Sequence, residues 1–160
     1  QILVTDVATI PAGNKMYSGG PKADVSKTTI FGYIEEMRVQ LVTATGSSAD
    51  GAILFLCPKH YSALIQSGLM DNTDQGLAGR KSGRIGMISG LTIVETTGLS
   101  ASFEMILMTP NTVNFVEQMV NTKTAEATDG FYMSLMTTAV WGGKIFTERA
   151  KGIVIFYASA

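Results

Sequence analysis

The sequence predicts a single domain of the α+β class, and three observations lead to this fold class. One segment places its apolar residues at helical spacing, while several short apolar runs bounded by glycine or proline are typical of strands. No repeat, low-complexity tract or linker divides the 160 residues, a length that can bury one hydrophobic core. We therefore expect helices and strands to share one domain, with room for two lobes.

The N-terminal segment is predicted to begin with a strand over residues 1–10, which ends at Pro11. The polar stretch 11–24 carries three glycines and two prolines, a composition that breaks regular structure. We expect a turn or a short excursion there.

The clearest helix is predicted over residues 26–44, with Asp24 or Ser26 as its N-terminal cap. Four apolar residues fall at spacings of four, three and four, which places them on one stripe of a helix: Ile30, Ile34, Met37 and Leu41. Gly46 is expected to end the helix, and the stripe is expected to face the core.

A short apolar run at residues 52–57 predicts a strand buried on both faces. Pro58 follows at a position that favours the first turn of a helix, so residues 58–67 are predicted to be helical, stopped by Gly68. Residues 68–84 are polar and rich in glycine, which indicates an exposed loop.

Three further strands are predicted in the middle of the chain. Residues 85–90 and 91–97 are two apolar runs that meet at Gly90, and residues 103–110 form a third run that ends at Pro110. The central part of the domain should therefore be mostly sheet.

The C-terminal third is less uniform in its pattern. Residues 113–128 have β-branched residues at helical spacing, so strand and helix both stay open there. Residues 129–140 are predicted to be helical, with Asp129 as cap and a break at the segment Trp141-Gly142-Gly143. An extended stretch and then a strand over residues 151–159 are expected to close the chain.

The composition limits the function classes that the chain can serve. Only 16% of residues are charged, where about 25% is usual, and 46% are hydrophobic, so apolar surface is buried in the core or against neighbouring subunits. The net charge of −1 argues against a nucleic-acid-binding domain of the basic kind. No apolar run approaches the roughly 20 residues of a membrane helix, and the one cysteine favours a reducing cytoplasm.

Cys57 and His60 are the only nucleophile and imidazole close together in the sequence. Catalysis would need an activated thiolate with the imidazole aimed at it. Cys57, however, ends an apolar run, which is typical of an inert buried cysteine, and we expect His60 to be a partly exposed helix residue. One cysteine and one histidine are two ligands short of a structural zinc site, and no cofactor motif is present.

The basic segment 79–84 superficially suggests a phosphate-binding loop. The fingerprint fails because Arg80 stands where that motif needs glycine before its lysine. Two interpretations stay open for Arg80, Lys81 and Arg84: a solvated loop, or electrostatic pairing with a carboxylate patch on a neighbouring subunit.

The order of the segments resembles the major capsid proteins of tailed bacteriophages of the Hong Kong 97 type. The resemblance is carried by S-K-T-T-I-F-G-Y-I-E-E-M-R-V-Q-L at 26–41, D-G-A-I-L-F-L-C-P-K-H-Y-S-A-L at 50–64 and G-R-I-G-M-I-S-G-L-T-I-V-E-T-T-G-L at 83–99. The segment from D-G-F-Y through W-G-G-K-I-F-T-E-R-A-K-G-I, at 129–153, looks like the closing part of that family. Each motif is degenerate, and the ordered set is more specific than any one of them.

The resemblance implies a fold of two lobes. Residues 1–23 would supply a strand of the peripheral lobe and its connecting turn, residues 24–104 the axial lobe, and residues 105–160 the rest of the peripheral lobe. The family's N-terminal arm, extended loop and long spine helix have no counterpart in these residues. Arg80, Lys81 and Arg84 would lie near the axial centre or a subunit boundary.

The function implied is that of a structural subunit, not an enzyme. Copies would form the pentamers and hexamers of an icosahedral capsid, which encloses the phage DNA without sequence-specific binding. Further partners would be scaffolding and portal proteins, with no membrane and no cofactor. Such a subunit is a virion component assembled in the cytoplasm of the host bacterium.

Three alternatives stay open at this stage. An encapsulin-like bacterial nanocompartment shell shares the implied fold and encloses protein cargo. A small cytoplasmic enzyme would use Cys57 and His60. A fibre or adhesin module is disfavoured, since such domains are mostly strand and the helix over 26–44 is well patterned.

Overall fold

The structure is a computed structural model that describes residues 7–17, 25–67, 86–99, 103–110, 112–126, 130 and 133–157. The described chain contains two helices, α1 (Ile30–Thr45) and α2 (Pro58–Gln66). Its strands are β1 (Lys15–Met16), β2 (Ile53–Leu56), β3 (Met87–Ile88), β4 (Leu91–Glu95), β5 (Phe103–Met108), β6 (Val113–Glu126), β7 (Met133–Ile145) and β8 (Ile153–Tyr157). Short 3₁₀ turns lie at Val7–Thr9, Ala12–Asn14 and Ala150–Gly152. The predicted α+β content is thus confirmed.

A six-stranded mixed sheet forms the body of the molecule, in the order β1-β8-β5-β2-β4-β3. At its centre β2 pairs antiparallel with β5 and parallel with β4, so that Leu54 lies between Leu107 and Ile93. Strands β6 and β7 form a separate antiparallel sheet of two strands. In chain order, the two strands of this second sheet follow β5 and precede β8, and there the chain leaves the body of the molecule.

Helix α1 packs its predicted stripe on one face of the large sheet. All four stripe residues have no exposed surface and share one cluster with sheet residues such as Leu54, Leu107 and Phe156. The opposite face of the sheet is covered by a second cluster that includes Ile106 and Ile155. Burial of a stripe at helical spacing is the reason that this helix could be predicted from the sequence.

Helix α1 ends where it was predicted to end, but it begins later than predicted. The N-cap residue is Thr29, without a side-chain cap, and the Ser26 carbonyl accepts hydrogen bonds from the amides of Thr29 and Ile30 at 3.2 and 3.0 Å. Ser26 therefore begins a turn ahead of the helix, and Asp24 lies outside the described residues. Gly46 ends the helix at φ +67°, with its amide bonded to the Val42 carbonyl.

Strand β2 and helix α2 occur where the sequence places them, with Pro58 in the first turn. The expectation that β2 is buried on both faces was wrong. Leu54 and Leu56 are fully buried, whereas Ile53 and Phe55 keep partial exposure because the second cluster covers their face less completely. Gly68 lies outside the described residues.

The predicted junction at Gly90 is a tight turn between β3 and β4. Gly90 has φ +79°, and a Cβ there would lie 2.6 Å from Asp50 Oδ1, so both backbone conformation and space favour glycine. The Gly51 amide also donates to the Gly90 carbonyl at 3.1 Å. The strand predicted over 103–110 is confirmed as β5.

The strand predicted over residues 1–10 was wrong at its C-terminal end, because Val7–Thr9 is a 3₁₀ turn. Residues 1–6 lie outside the described part, so a strand there stays a prediction. The two-residue strand β1 follows this turn and runs parallel to β8. Asn14 fixes the segment to the sheet, because its side-chain amide donates to the carbonyls of Lys151 and Ile153, both at 2.9 Å. Long-range hydrogen bonds of this kind leave no local pattern in the sequence.

The helix predicted over 129–140 was wrong, and the open choice at 113–128 is resolved as strand. Met133–Ile145 is β7, which pairs with β6 along almost its whole length and runs through Gly142 and Gly143 without a break. Cross-strand pairing decides the conformation here, since the β-branched residues of both segments suit a ladder.

No helix in the described part of the chain is long and apolar enough to cross a membrane.

Candidate functional site

The two-stranded sheet, which we call the ribbon (β6 and β7), is attached at its base to the body of the molecule, and this is its one attachment among the described residues. Val113 pairs with Ile145, and Ile145 is 1% exposed in the cluster that also holds Ala150 and Ile153. Beyond this base the described side chains of the ribbon are exposed. A two-stranded sheet without other support is marginal in water, so the ribbon is suited to gain stability from a partner.

Exposed hydrophobic side chains are concentrated on the ribbon. Eleven large hydrophobic residues are exposed in the described part of the chain, and seven of them belong to the ribbon: Phe115, Val116, Met133, Leu135, Met136, Val140 and Trp141. Phe146 follows directly after it. These seven side chains lie on both faces of the ribbon, and exposed apolar side chains in such number on one element are a feature of surfaces that another molecule covers.

Aromatic stacking organises part of this surface. The rings of Phe115 and Trp141 lie 6.2 Å apart between centroids at an interplanar angle of 30°. The two side chains stay 58% and 67% exposed, so the stack presents a large flat apolar area to solvent. Aromatic residues of this size contribute strongly to protein interfaces when a partner covers them.

The two sheets also differ in how much unpaired backbone their edges offer to another strand. The outermost strands of the large sheet are β1 and β3, each of two residues, so its edges offer little backbone for pairing. The ribbon strands have 14 and 13 residues, and no third strand of the described chain pairs with either. Both the faces and the edges of the ribbon are therefore open for association.

Cys57 and His60 lie at the start of α2, and His60 Nδ1 has no hydrogen-bond partner among the described residues, so no hydrogen bond joins this nitrogen to the Cys57 thiol. His60 is buried at 1% exposure, and the prediction that it is partly exposed was wrong. Its Nε2 lies 2.6 Å from Glu104 Oε2, and because a carboxylate accepts hydrogen bonds, the ring nitrogen donates. Cys57 is half-buried, and its amide donates to the Glu104 carbonyl at 3.3 Å. The imidazole is thus bound to a carboxylate, in a contact that ties α2 to β5.

Glu104 is the residue at this place that the sequence analysis missed. It lies inside an apolar strand, and only the pairing of β2 with β5 brings it near the start of α2. A lone carboxylate in an apolar run was the available signal, but nothing local linked it to His60. Among the described residues, no group of three or more histidine, cysteine, aspartate or glutamate side chains could hold a metal ion.

A shallow cleft lies where the end of α1 meets the turn before β8. Its volume is about 350 Å³, and its lining includes Thr45, Thr109, Glu148, Arg149 and Lys151. The Thr109 and Thr112 hydroxyls bond to each other at 2.9 Å, and the acidic and basic groups are mixed and exposed. The cleft offers no convergent set of groups for catalysis.

Arg80, Lys81 and Arg84 lie outside the described residues, in the segment 68–85 between α2 and β3. Their role at a subunit boundary stays a prediction.

Comparisons with known proteins connect this geometry to a fold. No family model and no curated protein matches the sequence. Solved structures do: the capsid structure of the cyanophage P-SCSP1u superposes with a TM-score of 0.66 at 15% identity, and a structure from Mycobacterium phage Che8 with 0.61 at 21%. Each match covers 94% of this chain.

A virus-like particle from Pyrococcus furiosus is also similar, with a TM-score of 0.51 at 18% identity over 97% of the chain. The chain spans 54–60% of the length of these neighbours. At such identities the likeness establishes the fold, and the chain has the fold of a phage capsid protein.

Proposed function

We propose that the chain is a structural subunit of a bacteriophage capsid, which associates with copies of itself to form the shell. The observation that carries this proposal is the superposition on the cyanophage capsid structure over 94% of the chain. The exposed ribbon agrees with this proposal, because a shell subunit has apolar side chains that residues of neighbouring subunits cover after assembly.

The composition supports the same function. Few charges and much apolar surface suit a subunit that is covered by neighbours on several sides. Shells form from many modest contacts that symmetry repeats, so no single interface has to be strong. The described residues bring together no catalytic set, and the proposed role is structural.

The finer parts of the proposal rest on the sequence resemblance. On that resemblance we propose that the capsid is of the Hong Kong 97 type, is arranged in pentamers and hexamers, encloses DNA, and contacts scaffolding and portal proteins. We also propose a peripheral lobe at residues 1–23 and 105–160 and an axial lobe at residues 24–104. All three ranges contribute strands to the six-stranded sheet, so lobes with these bounds would share one continuous sheet. Assembly in the cytoplasm of a host bacterium completes this proposal.

Electron microscopy tests the function. The full reading frame that encodes the chain is expressed in bacteria, and the purified product is examined by negative staining. Closed particles of uniform diameter are the expected result. A product that stays a monomer, or that forms only irregular aggregates, would overturn the proposal.

An encapsulin-like nanocompartment shell is the second candidate, favoured by the likeness to the Pyrococcus furiosus particle. That likeness is weaker than the one to the cyanophage capsid, with TM-scores of 0.51 and 0.66. The content of the particles distinguishes the two functions, because a phage shell encloses nucleic acid and a compartment encloses protein cargo. Absorbance spectra and gel analysis of purified particles from the native source decide between them.

A further inference from the structure

The N-terminal part of the described chain, residues 7–17, lies along one edge of the large sheet, and we call it the strap. Its strand β1 has two residues, which pair with Ile155 and Phe156 of β8. Strand β8 has five residues, and its other side is paired with β5. Among the described residues, the strap is therefore the part that covers the remaining side of β8, and its ladder is very short.

One buried side chain provides a polar attachment for the strap. Asn14 is 2% exposed, and its side-chain amide donates to the carbonyls of Lys151 and Ile153, both at 2.9 Å. Both acceptors lie where β8 begins. Because one side chain makes both hydrogen bonds, the two bonds are lost together when the strap moves away from the sheet.

The apolar attachment of the strap lies at its two ends. Ile10 is 2% exposed and belongs to the second cluster, whereas Met16 and Tyr17 are partly buried against the cluster that holds α1. Ile10 is the one fully buried large apolar side chain of the strap. Opening the strap therefore exposes much less apolar surface than unfolding the body does.

The last residue of the strap has an unfavourable backbone conformation. Tyr17 has φ +60°, in the left-handed region that a bulky residue rarely adopts. Its ring packs against Phe156 and Tyr33, with centroids 5.0 and 5.7 Å away. Its hydroxyl donates to Glu36 at 2.9 Å. These contacts hold the strained backbone in place, and the strain is released when they break, which favours opening.

We propose that the strap opens as a unit while both helices and the other strands of the large sheet stay folded, and that opening turns β8 into a free edge. Weakly attached segments open before the core of a protein does. The five residues of β8 are hydrophobic and uncharged, and an open edge of this composition can pair with a strand of another chain. The strap is thus a conformational device that keeps this edge closed. The proposal goes beyond the shell function and does not depend on it.

Hydrogen exchange tests the proposal when it is measured residue by residue on the product of the full reading frame. His60→Ala is the most informative variant, because His60 ties α2 to β5 within the body and makes no contact that opening of the strap breaks. Amides of α1, β2 and β5 should exchange roughly tenfold faster or more, since the body is weakened. The hydrogen-bonded amides of Asn14 and Lys15 should stay within about twofold of the wild type. Glu104→Gln is a milder variant with the same expected pattern.

Two variants of the strap provide the matched comparison. Asn14→Ala removes both hydrogen bonds to the start of β8, so it destabilises the closed protein relative to the open strap and to the unfolded chain alike. Amides of the strap and of the body should both exchange roughly tenfold faster. Tyr17→Phe keeps the ring and loses the bond to Glu36, and it should act in the same direction by a smaller factor.

The amides of β8 test whether its edge becomes free. Alternate amides along a strand point to opposite sides, so one set is directed at β5 and the other at β1. The first set should respond to His60→Ala with the body, and the second set should follow the strap. A second set that follows the body would overturn the free edge.

Two further results would overturn the opening of the strap. If His60→Ala speeds the exchange of Asn14 and Lys15 as much as that of the body, the strap opens only when the whole domain unfolds. If these two amides exchange in the wild type at the rate of an unstructured peptide, the strap has no stable closed state. Each result leaves the shell function as it stands, because that function is tested by the formation of particles.

Discussion

Phe115 stacks on Trp141 diagonally across the ribbon. Phe115 is directly opposite Gly143 and Trp141 is directly opposite Glu117, yet the two rings approach to 6.2 Å. A glycine opposite Phe115 leaves the aromatic ring free to lean along the ladder toward the indole. The outer side of the stack is exposed, so its apolar area contacts solvent in the isolated chain.

Trp141→Ala should reduce self-association strongly and change folding little. The side chain is 67% exposed, so the free energy of unfolding should fall by no more than about 1.5 kcal/mol, the value of an aromatic pair. Sedimentation velocity and chemical denaturation measure the two effects. Val39→Ala is the control, because Val39 is 59% exposed on α1 and lies away from the ribbon. Equal self-association of both variants would contradict the role of the stack.

His60→Ala should destabilise the fold by about 2–4 kcal/mol, since it leaves a cavity and removes the partner of a carboxylate. Glu104→Gln should cost less, because an amide oxygen can still accept a hydrogen bond from His60 Nε2. Urea denaturation of both single variants and of the double variant measures the coupling. Additive effects would show that the contact between α2 and β5 contributes nothing.

Gly152→Ala should cost about 1–3 kcal/mol, because a Cβ at this position would collide with the Thr109 hydroxyl. Gly142→Ala is the matched variant, since a Cβ there meets no atom within 4 Å. Its stability should stay within about 0.5 kcal/mol of the wild type. Thermal denaturation compares the two, and similar losses in both variants would contradict the packing around Gly152.

Tyr17 should make the stability depend on pH in the alkaline range. Burial raises the pKa of Tyr17 to about 12, and its hydrogen bond to Glu36 at 2.9 Å acts in the same direction. A raised pKa favours the folded state while the phenol is protonated, so this stabilisation is complete below pH 10 and is lost as the pH rises toward 12.

Tyr17→Phe should remove that part of the alkaline loss. Burial also raises the pKa values of Tyr61 and Tyr157, so the relevant quantity is the difference between wild type and variant. Denaturation curves between pH 8 and pH 12 provide it. Identical slopes for the two proteins would contradict the raised pKa of the partly buried Tyr17 phenol.

The basic segment 79–84 provides a separate test of assembly. Charge reversal at Arg80, Lys81 and Arg84 together should impair shell formation while circular dichroism and melting temperature stay unchanged. Normal particles from this variant would show that these three side chains make no essential contact between subunits.

The parts of the fold that the sequence predicted are those with a local signal. The stripe on α1, Pro58 at the start of α2 and Gly90 between two strands each act within a few residues. The ribbon was missed on its second strand because Met133–Ile145 has no strand signal stronger than its helical one. Its conformation comes from pairing with β6, the preceding strand, and a pattern within residues 133–145 alone does not show that pairing.

The candidate site was predictable only in outline. A low content of charge indicated surfaces that neighbours cover, but not which element carries them. The exposure of Phe115 and Trp141 follows from the ribbon leaving the body, which is a property of topology. The contact between His60 and Glu104 depends on the register of β2 with β5 in the same way.

A cryo-electron microscopy reconstruction of the assembled product tests the central claim most directly. We predict a closed shell built from many copies of this protein, in which the Trp141 side chain is out of contact with water. Particles that are absent, or a shell in which Trp141 faces open solvent, would contradict the account.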